Sequence, residues 1–216
     1  SHRLFRLDGI DVRGRFSEPQ FCWSSERIEL PSVITAGDID ADGDLDLFIG
    51  QYKQPYLKGQ MPSPYYDAND GYPAYLLQND GRGMFSDITE QSGLGLKRFR
   101  RSYGASFVDL NGDSRFDLLV SSDFAGIDIY EGNGHGMFKE VTNGWIDQRH
   151  TFGMSHVFAD FNTDGKLDFF SVGMSSTTGR RLELMGLGRD EHKHIDAMRS
   201  SMSYGNRLYF ATESGF

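Results

Sequence analysis

The chain is most easily bounded by what it has little of. Cys22 is its single cysteine among 216 residues, so no intrachain disulfide can form, and zinc-finger and haem-attachment spacings are absent. No apolar run approaches the roughly 20 residues of a membrane span, and the opening stretch "SHRLFRLDG" lacks the apolar centre of a signal peptide. The chain as given therefore reads as soluble, with any export signal removed or lying upstream. Positive charge is also short: 22 Lys and Arg against 31 Asp and Glu leave a net charge of −9, unsuited to displacing counterions from nucleic acid. The one dense basic run, "LKRFRRS" (96–102), reads first as a solvated loop and second as a docking patch.

What is present is a repeat. "GDIDADGDLDLFIG" from Gly37, "VDLNGDSRFDLLVS" from Val108 and "ADFNTDGKLDFFSV" from Ala159 share the template D-x-[DN]-x-D-[GS]-x-x-D followed by apolar residues. A second template follows each of the first two copies: "YLLQNDGRGMFSDIT" from Tyr75 and "DIYEGNGHGMFKEVT" from Asp128 align with one another without a gap. "NRLYFATESGF" (206–216) begins a third copy and stops at its aromatic, and "LFRLDGIDVRGRFSE" (4–18) is a divergent copy lacking its first half.

The segments on either side of the acidic loops are rich in β-branched and aromatic residues and have no helical period, so they read as strands. In "LDLFIG", Leu47 and Ile49 would face one way and Phe48 the other. The Asn- and Gly-rich second template reads as a hairpin, because those residues tolerate the positive φ of tight turns. Four short strands per repeat make the expected class all-β, with β-propeller blades.

The expected organisation across 1–216 is a partial propeller of about three and a half blades: a half-blade at 4–18, then blades at 33–90, 102–142 and 152–216. An insertion at 51–73 interrupts the first full blade, and a partly helical one at 175–205, with a helix near Arg189 to Met202, interrupts the last. Half a propeller cannot close, so the expectation is a fragment of a longer chain or a piece completed by another polypeptide, its partner being another protein or the remaining part of the same propeller.

Oxygen donors at positions 1, 3, 5 and 9 of a tight loop, with a backbone carbonyl at 7, follow the logic of calcium loops; the absence of His and Cys disfavours zinc. The candidate ligands are Asp38, Asp40, Asp42 and Asp46 with the Asp44 carbonyl; Asp109, Asn111, Asp113 and Asp117 with the Arg115 carbonyl; and Asp160, Asn162, Asp164 and Asp168 with the Lys166 carbonyl. Asp44 is expected to turn its side chain to solvent. An EF-hand is excluded because position 12 is Ile49, Val120 or Ser171 rather than Glu, and the flanks are strand-like. Ser114 stands where the other loops have Gly43 and Gly165, so if position 6 needs positive φ the middle site is expected to be the weakest. Three Ca²⁺ ions would move the net charge from −9 to −3.

The acidic loops, the flanks "YGAS" (103–106) and "FGMS" (152–155) and the hairpin template resemble FG-GAP/VCBS repeats, the blades of integrin-α-type propellers. The order of parts, including "GMSSTTGRRLELMGLGR" and "AMRSSMSYGNRLYF", is similar to the bacterial relatives of cartilage acidic protein, the ASPIC/UnbV group. That resemblance implies a calcium-stabilised, exported propeller. The leading functional reading is a noncatalytic interaction or structural module outside the cytoplasm, where calcium loops of ~10⁻⁴–10⁻³ M affinity are filled. A second is a carbohydrate-binding or polysaccharide-active propeller, with Tyr52, Tyr56, Tyr65, Tyr66 and Tyr72 as stacking platforms; packing of the insertion on its own blade is the plainer use of those rings. A third is a metal or redox site on "DEHKHIDAM", where His192 and His194 lie near Asp190, Glu191 and Asp196; two positions apart on a helix face different ways, which favours a solvated helix.

Overall fold

The computed structural model describes residues 2–7, 9, 11–25, 28–56, 59–187 and 193–216. Thirteen strands among them form four antiparallel sheets. Sheet one pairs β1 (His2–Arg6) with β2 (Gln20–Ser25). Sheet two is a meander of β3 (Pro31–Gly37), β4 (Asp46–Gln51), β5 (Tyr75–Asn79) and β6 (Phe85–Asp87). Sheet three repeats it with β7 (Arg101–Val108), β8 (Asp117–Asp123), β9 (Gly126–Gly132) and β10 (Phe138–Glu140), and sheet four has β11 (Phe152–Ala159), β12 (Asp168–Met174) and β13 (Arg207–Tyr209).

The period-two pattern explains how the sheets stack. Phe48 turns into a core shared by sheets two and three, with Leu76, Leu118, Val120 and Phe138, while Leu47 and Ile49 face sheet one beside Leu4, Trp23 and Tyr75. Sheet three does the same one step on: Leu119, Ile127 and Ile129 meet Phe169 and Tyr209 of sheet four. Each first strand lies against the next, β3 on β7 and β7 on β11. Ser32 Oγ donates to the Ser102 carbonyl at 2.6 Å, and His156 sits between Ser106 and Ser121. Each of these strands also carries a bulge six residues before its acidic loop, at Ser32, Tyr103 and Met154. This common register leaves "YGAS" and "FGMS" two residues out of step, so their likeness is one of composition.

The two insertions leave the sheets at the end opposite the acidic loops, and several expectations about this end are corrected. The helical insertion holds two helices, α2 (Thr177–Leu184) and α3 (Lys193–Ser203), where one was expected. Residues 189–192 of the expected helix lie outside the described residues. Ser176 caps α2 by accepting from Gly179 N–H at 3.1 Å, a start signal masked in the sequence by the poor formers Thr177, Thr178 and Gly179. A further helical turn, α1 (Thr142–Trp145), follows β10. Insertion 51–73 packs on sheet three as well as on its own sheet: Asp70 pairs with Arg101 and Tyr52 stacks on Tyr103 of β7, while Gln51 of β4 donates to the Pro73 carbonyl.

The basic run is not solvated. Arg100 and Arg101 are 3% and 0% exposed; Arg100 pairs with Asp67 and Asp128, and Arg101 with Asp70. At the amino end, β1 pairs with β2, so the expected second strand near Phe16 contributes a single bridge residue rather than a ladder. No described helix is long and apolar enough to cross a membrane.

Candidate metal centres

The three acidic loops are built by one hydrogen-bond scheme. The position-1 carboxylate accepts N–H groups from positions 5 and 6: Asp38 from Asp42 and Gly43 at 3.2 and 3.1 Å, Asp109 from Asp113 and Ser114 at 3.1 and 2.9 Å, and Asp160 from Asp164 and Gly165 at 3.1 and 2.9 Å. The position-5 carboxylate accepts the N–H of position 7 in each loop, Asp42 from Asp44, Asp113 from Arg115 and Asp164 from Lys166. Asn111 and Asn162 at position 3 accept from position 5 and donate to its carboxylate, at 3.3 and 3.0 Å. The loop thus curls around its alternate side chains before any ion is considered.

Position 9 has a structural role that sequence spacing does not reveal. Asp46, Asp117 and Asp168 are at most 1% exposed, and each carboxylate joins two elements. One oxygen accepts from loop position 2 and the other from the residue leaving the third strand: Ile39 and Asn79 for Asp46, Leu110 and Gly132 for Asp117, Phe161 and Ala211 for Asp168, all at 2.8–3.1 Å. Burial pushes Asp46 and Asp117 up to about 6, against the lowering effect of those N–H donors. The Asp168–Ala211 bond also fixes the register of the last hairpin, whose turn closes from Thr212 N–H to the Gly215 carbonyl. This turn is one residue shorter than the others, which close from Asp80 to Met84 and from Asn133 to Met137.

Each loop has the same two left-handed positions. Position 6 has positive φ in all three loops, at Gly43 (94°), Ser114 (65°) and Gly165 (83°), and so does position 4, at Ala41 (62°), Gly112 (77°) and Thr163 (61°). Each loop therefore places one glycine and one non-glycine residue in the left-handed region. The middle loop has only exchanged the two positions, so Ser114 does not single it out. The β-branched Thr163 makes the third loop the most strained.

In the first loop, Asp38, Asp40 and Asp42 bring oxygens within 4.8 Å of one another, the one such grouping of His, Cys, Asp or Glu among the described residues. Asp40 Oδ2 accepts from Gln78 Nε2 at 2.6 Å, while Asp40 Oδ1 is buried with no partner. Asp44 departs from expectation: it is half-buried, leans on Gly81 of the β5–β6 turn, and its Oδ1 is also buried without a partner. Burial, then repulsion from Asp42, Asp40 and Asp38, raise its pKa. Arg115 at the same loop position lies against Gly134 of the next turn, so position 7 rests on the hairpin in both repeats. Two orphaned carboxylate oxygens amid mutually repelling acids fit a hard divalent cation.

The other candidates are placed differently. Tyr52 stacks on Tyr103 at 4.3 Å and donates to Asp123; Tyr65 meets Tyr66 and Phe124 edge-on. Tyr56 is exposed, and Tyr72 is half-buried. His194 and Asp196 line a groove with His150, whereas Asp190, Glu191 and His192 lie outside the described residues.

With this geometry in place, comparison with known families gives one match, to part of the chain. Residues 109–171 match the FG-GAP-like repeat. The match starts at the first aspartate of the second loop and ends within β12, spanning the second and third loops with β8 to β11 between them. No curated protein is matched by the chain. The fold is all-β, mostly antiparallel sheet with few helices, and is consistent with the FG-GAP-like repeat that its residues 109–171 match.

Proposed function

We propose that the chain is a noncatalytic, calcium-braced segment of a β-propeller of the ASPIC/UnbV type, acting outside the cytoplasm as a protein-interaction or scaffolding module. The four sheets are its blades, and the acidic loops hold three Ca²⁺ ions through Asp38, Asp40, Asp42 and Asp46; Asp109, Asn111, Asp113 and Asp117; and Asp160, Asn162, Asp164 and Asp168, with the carbonyls of Asp44, Arg115 and Lys166. The observation that carries this reading is the first loop, where three carboxylates converge and two buried oxygens, on Asp40 and Asp44, lack a partner.

The outer faces support the partner named in this reading, further blades of the same propeller. Ile39 and Leu110, at position 2 of the first two loops, are 2% and 9% exposed beneath the following sheet, whereas Phe161 at the same position is 45% exposed. Val157, Val172 and Leu208 are exposed on the same side of sheet four. On the other flank, sheet one covers the outer strands of sheet two and leaves a cavity of about 380 Å³ beside Val33, Ile34 and Ile49. A blade on each flank would bury what the internal blades bury. The tyrosines of the first insertion are mostly engaged internally, so no observation favours the carbohydrate reading.

Calcium at ten times its Kd stabilises by about 1.4 kcal/mol per site, hence ~4 kcal/mol for three. For a chain of this size, excess EDTA should lower Tm by about 10 °C. A melt unchanged by EDTA rejects the calcium part of the proposal. Capture of a partner from the native envelope or secretome tests the rest, and turnover of a substrate without any partner would reject it.

A further inference from the structure

We infer that Glu131, outside all three loops, is an additional carboxylate of the second cation site. The inference rests on the calcium reading. β5 and β9 are superposable by their ladders: Leu77 pairs with Leu47 and Asp87, and Tyr130 with Leu118 and Glu140. Gln78 and Glu131 therefore occupy one position, just beyond the last residue paired with the central strand. In the first repeat that position reaches loop position 3, since Gln78 Nε2 meets Asp40 Oδ2 at 2.6 Å. In the second repeat, Glu131 lines one cavity of about 690 Å³ together with Asp109, Asn111 and Gly112.

The two repeats thus exchange a charge between two facing positions. The first has Asp40 on the loop and neutral Gln78 on the strand; the second has neutral Asn111 on the loop and Glu131 on the strand. Counting position 1, position 5, position 9 and this pair, both sites hold four carboxylates. The Glu131 side chain is half-buried and makes no hydrogen bond or ion pair among the described residues; Lys139, its backbone partner across the ladder, forms no ion pair with it. The corresponding residue of the third repeat, one before Ala211, is Phe210, and loop position 3 there is neutral Asn162, which leaves three carboxylates. Calcium-loop affinity follows ligand charge, so the first and second sites should bind more tightly than the third.

Trp145 lines the same cavity, whose wall also includes Gly165 and Lys166 of the third loop, while the other tryptophan, Trp23, packs on Tyr75 in the core between sheets one and two. Terbium(III) added to the calcium-free chain, excited through the indole and competed with Ca²⁺, reads the second and third sites together, and rescue by a change in the second loop assigns the affected site. Glu131→Gln, which installs the residue of the first repeat, should weaken binding about tenfold through the lost ligand charge. Adding Asn111→Asp recreates the pair of the first repeat and should restore binding to within about twofold of the starting chain. Wild-type binding with an unshifted Glu131→Gln titration overturns this inference alone, as does a double variant no tighter than the single one. A wild-type chain that binds neither Tb³⁺ nor Ca²⁺ removes the calcium reading itself.

Discussion

Asp128 lies on β9 with no exposed surface, and three cations converge on it. Lys97 Nζ donates to Oδ1 at 2.7 Å, Arg100 Nε to Oδ2 at 2.8 Å and Arg149 Nη1 to Oδ1 at 3.2 Å. Asp67 accepts from Arg100 and Arg149 at 2.8 and 2.9 Å, and Glu140 from Lys97 at 3.0 Å, so three cations are balanced by three anions. Asp128→Asn keeps the shape and removes one anion, leaving a surplus positive charge in a buried site. Breaking a buried ion pair from one side costs about 3–5 kcal/mol, which for a chain of this length is a Tm loss of about 10 °C. Urea and thermal unfolding at pH 7 measure it. Adding Lys97→Met removes the surplus charge and should recover part of the loss, separating charge imbalance from disturbed packing. Burial would raise the Asp128 pKa, but Arg100, Lys97 and Arg149 outweigh it and hold the group below its ordinary value. Its contribution is therefore present above about pH 4 and fades as pH falls through the lowered pKa, a dependence that Asp128→Asn should lack. A cost below about 1 kcal/mol for the single variant would refute the reading of Asp128 as the buried anion that balances these cations.

The acidic loops and hairpins were legible because both are local. Alternate oxygen donors, and glycines at 72–81° in the two hairpin turns, are written in consecutive residues. The facing of Phe48 against Leu47 and Ile49 was legible for the same reason, since strand alternation needs no knowledge of the partner sheet. The Asp128 network was not, because its members come from positions 67, 97, 100, 128, 140 and 149 and meet only after sheets two and three are stacked. Read locally, "LKRFRRS" is a surface run; its anions stand elsewhere in the chain. Position 9 of the loops shows the intermediate case. Asp46, Asp117 and Asp168 are conspicuous by spacing, yet their bonds to Asn79, Gly132 and Ala211 depend on where the third strand docks. The left-handed residue at position 4 escaped notice because Ala41 and Thr163 carry no sign of it, and only Gly112 does.

Two further expectations follow from backbone and burial. Thr163 in the left-handed region costs roughly 1–2 kcal/mol, and glycine returns about 0.5–1 kcal/mol of that as lost chain entropy. Thr163→Gly should thus raise the urea midpoint by the equivalent of about 0.5–1 kcal/mol, and a lowered midpoint would contradict the strain assigned to that loop. His156, on β11, is held between Ser106 Oγ at 2.9 Å and Ser121 Oγ at 2.8 Å, and burial depresses its pKa to about 4. A base whose folded pKa lies below its unfolded value takes up its proton more readily on unfolding, so its contribution is intact above about pH 6.5 and is lost as pH falls toward 4. Between pH 7 and pH 5 that loss amounts to about 2 kcal/mol. Asp123, raised to about 6 by burial, shifts stability in the opposite direction over the same interval, so the whole-chain pH profile cannot isolate the histidine. The difference between wild type and His156→Gln can: the wild type should lose about 2 kcal/mol more than the variant on going from pH 7 to pH 5. Equal losses would mean that the imidazole between sheets three and four is protonated as easily in the folded chain as in the unfolded one.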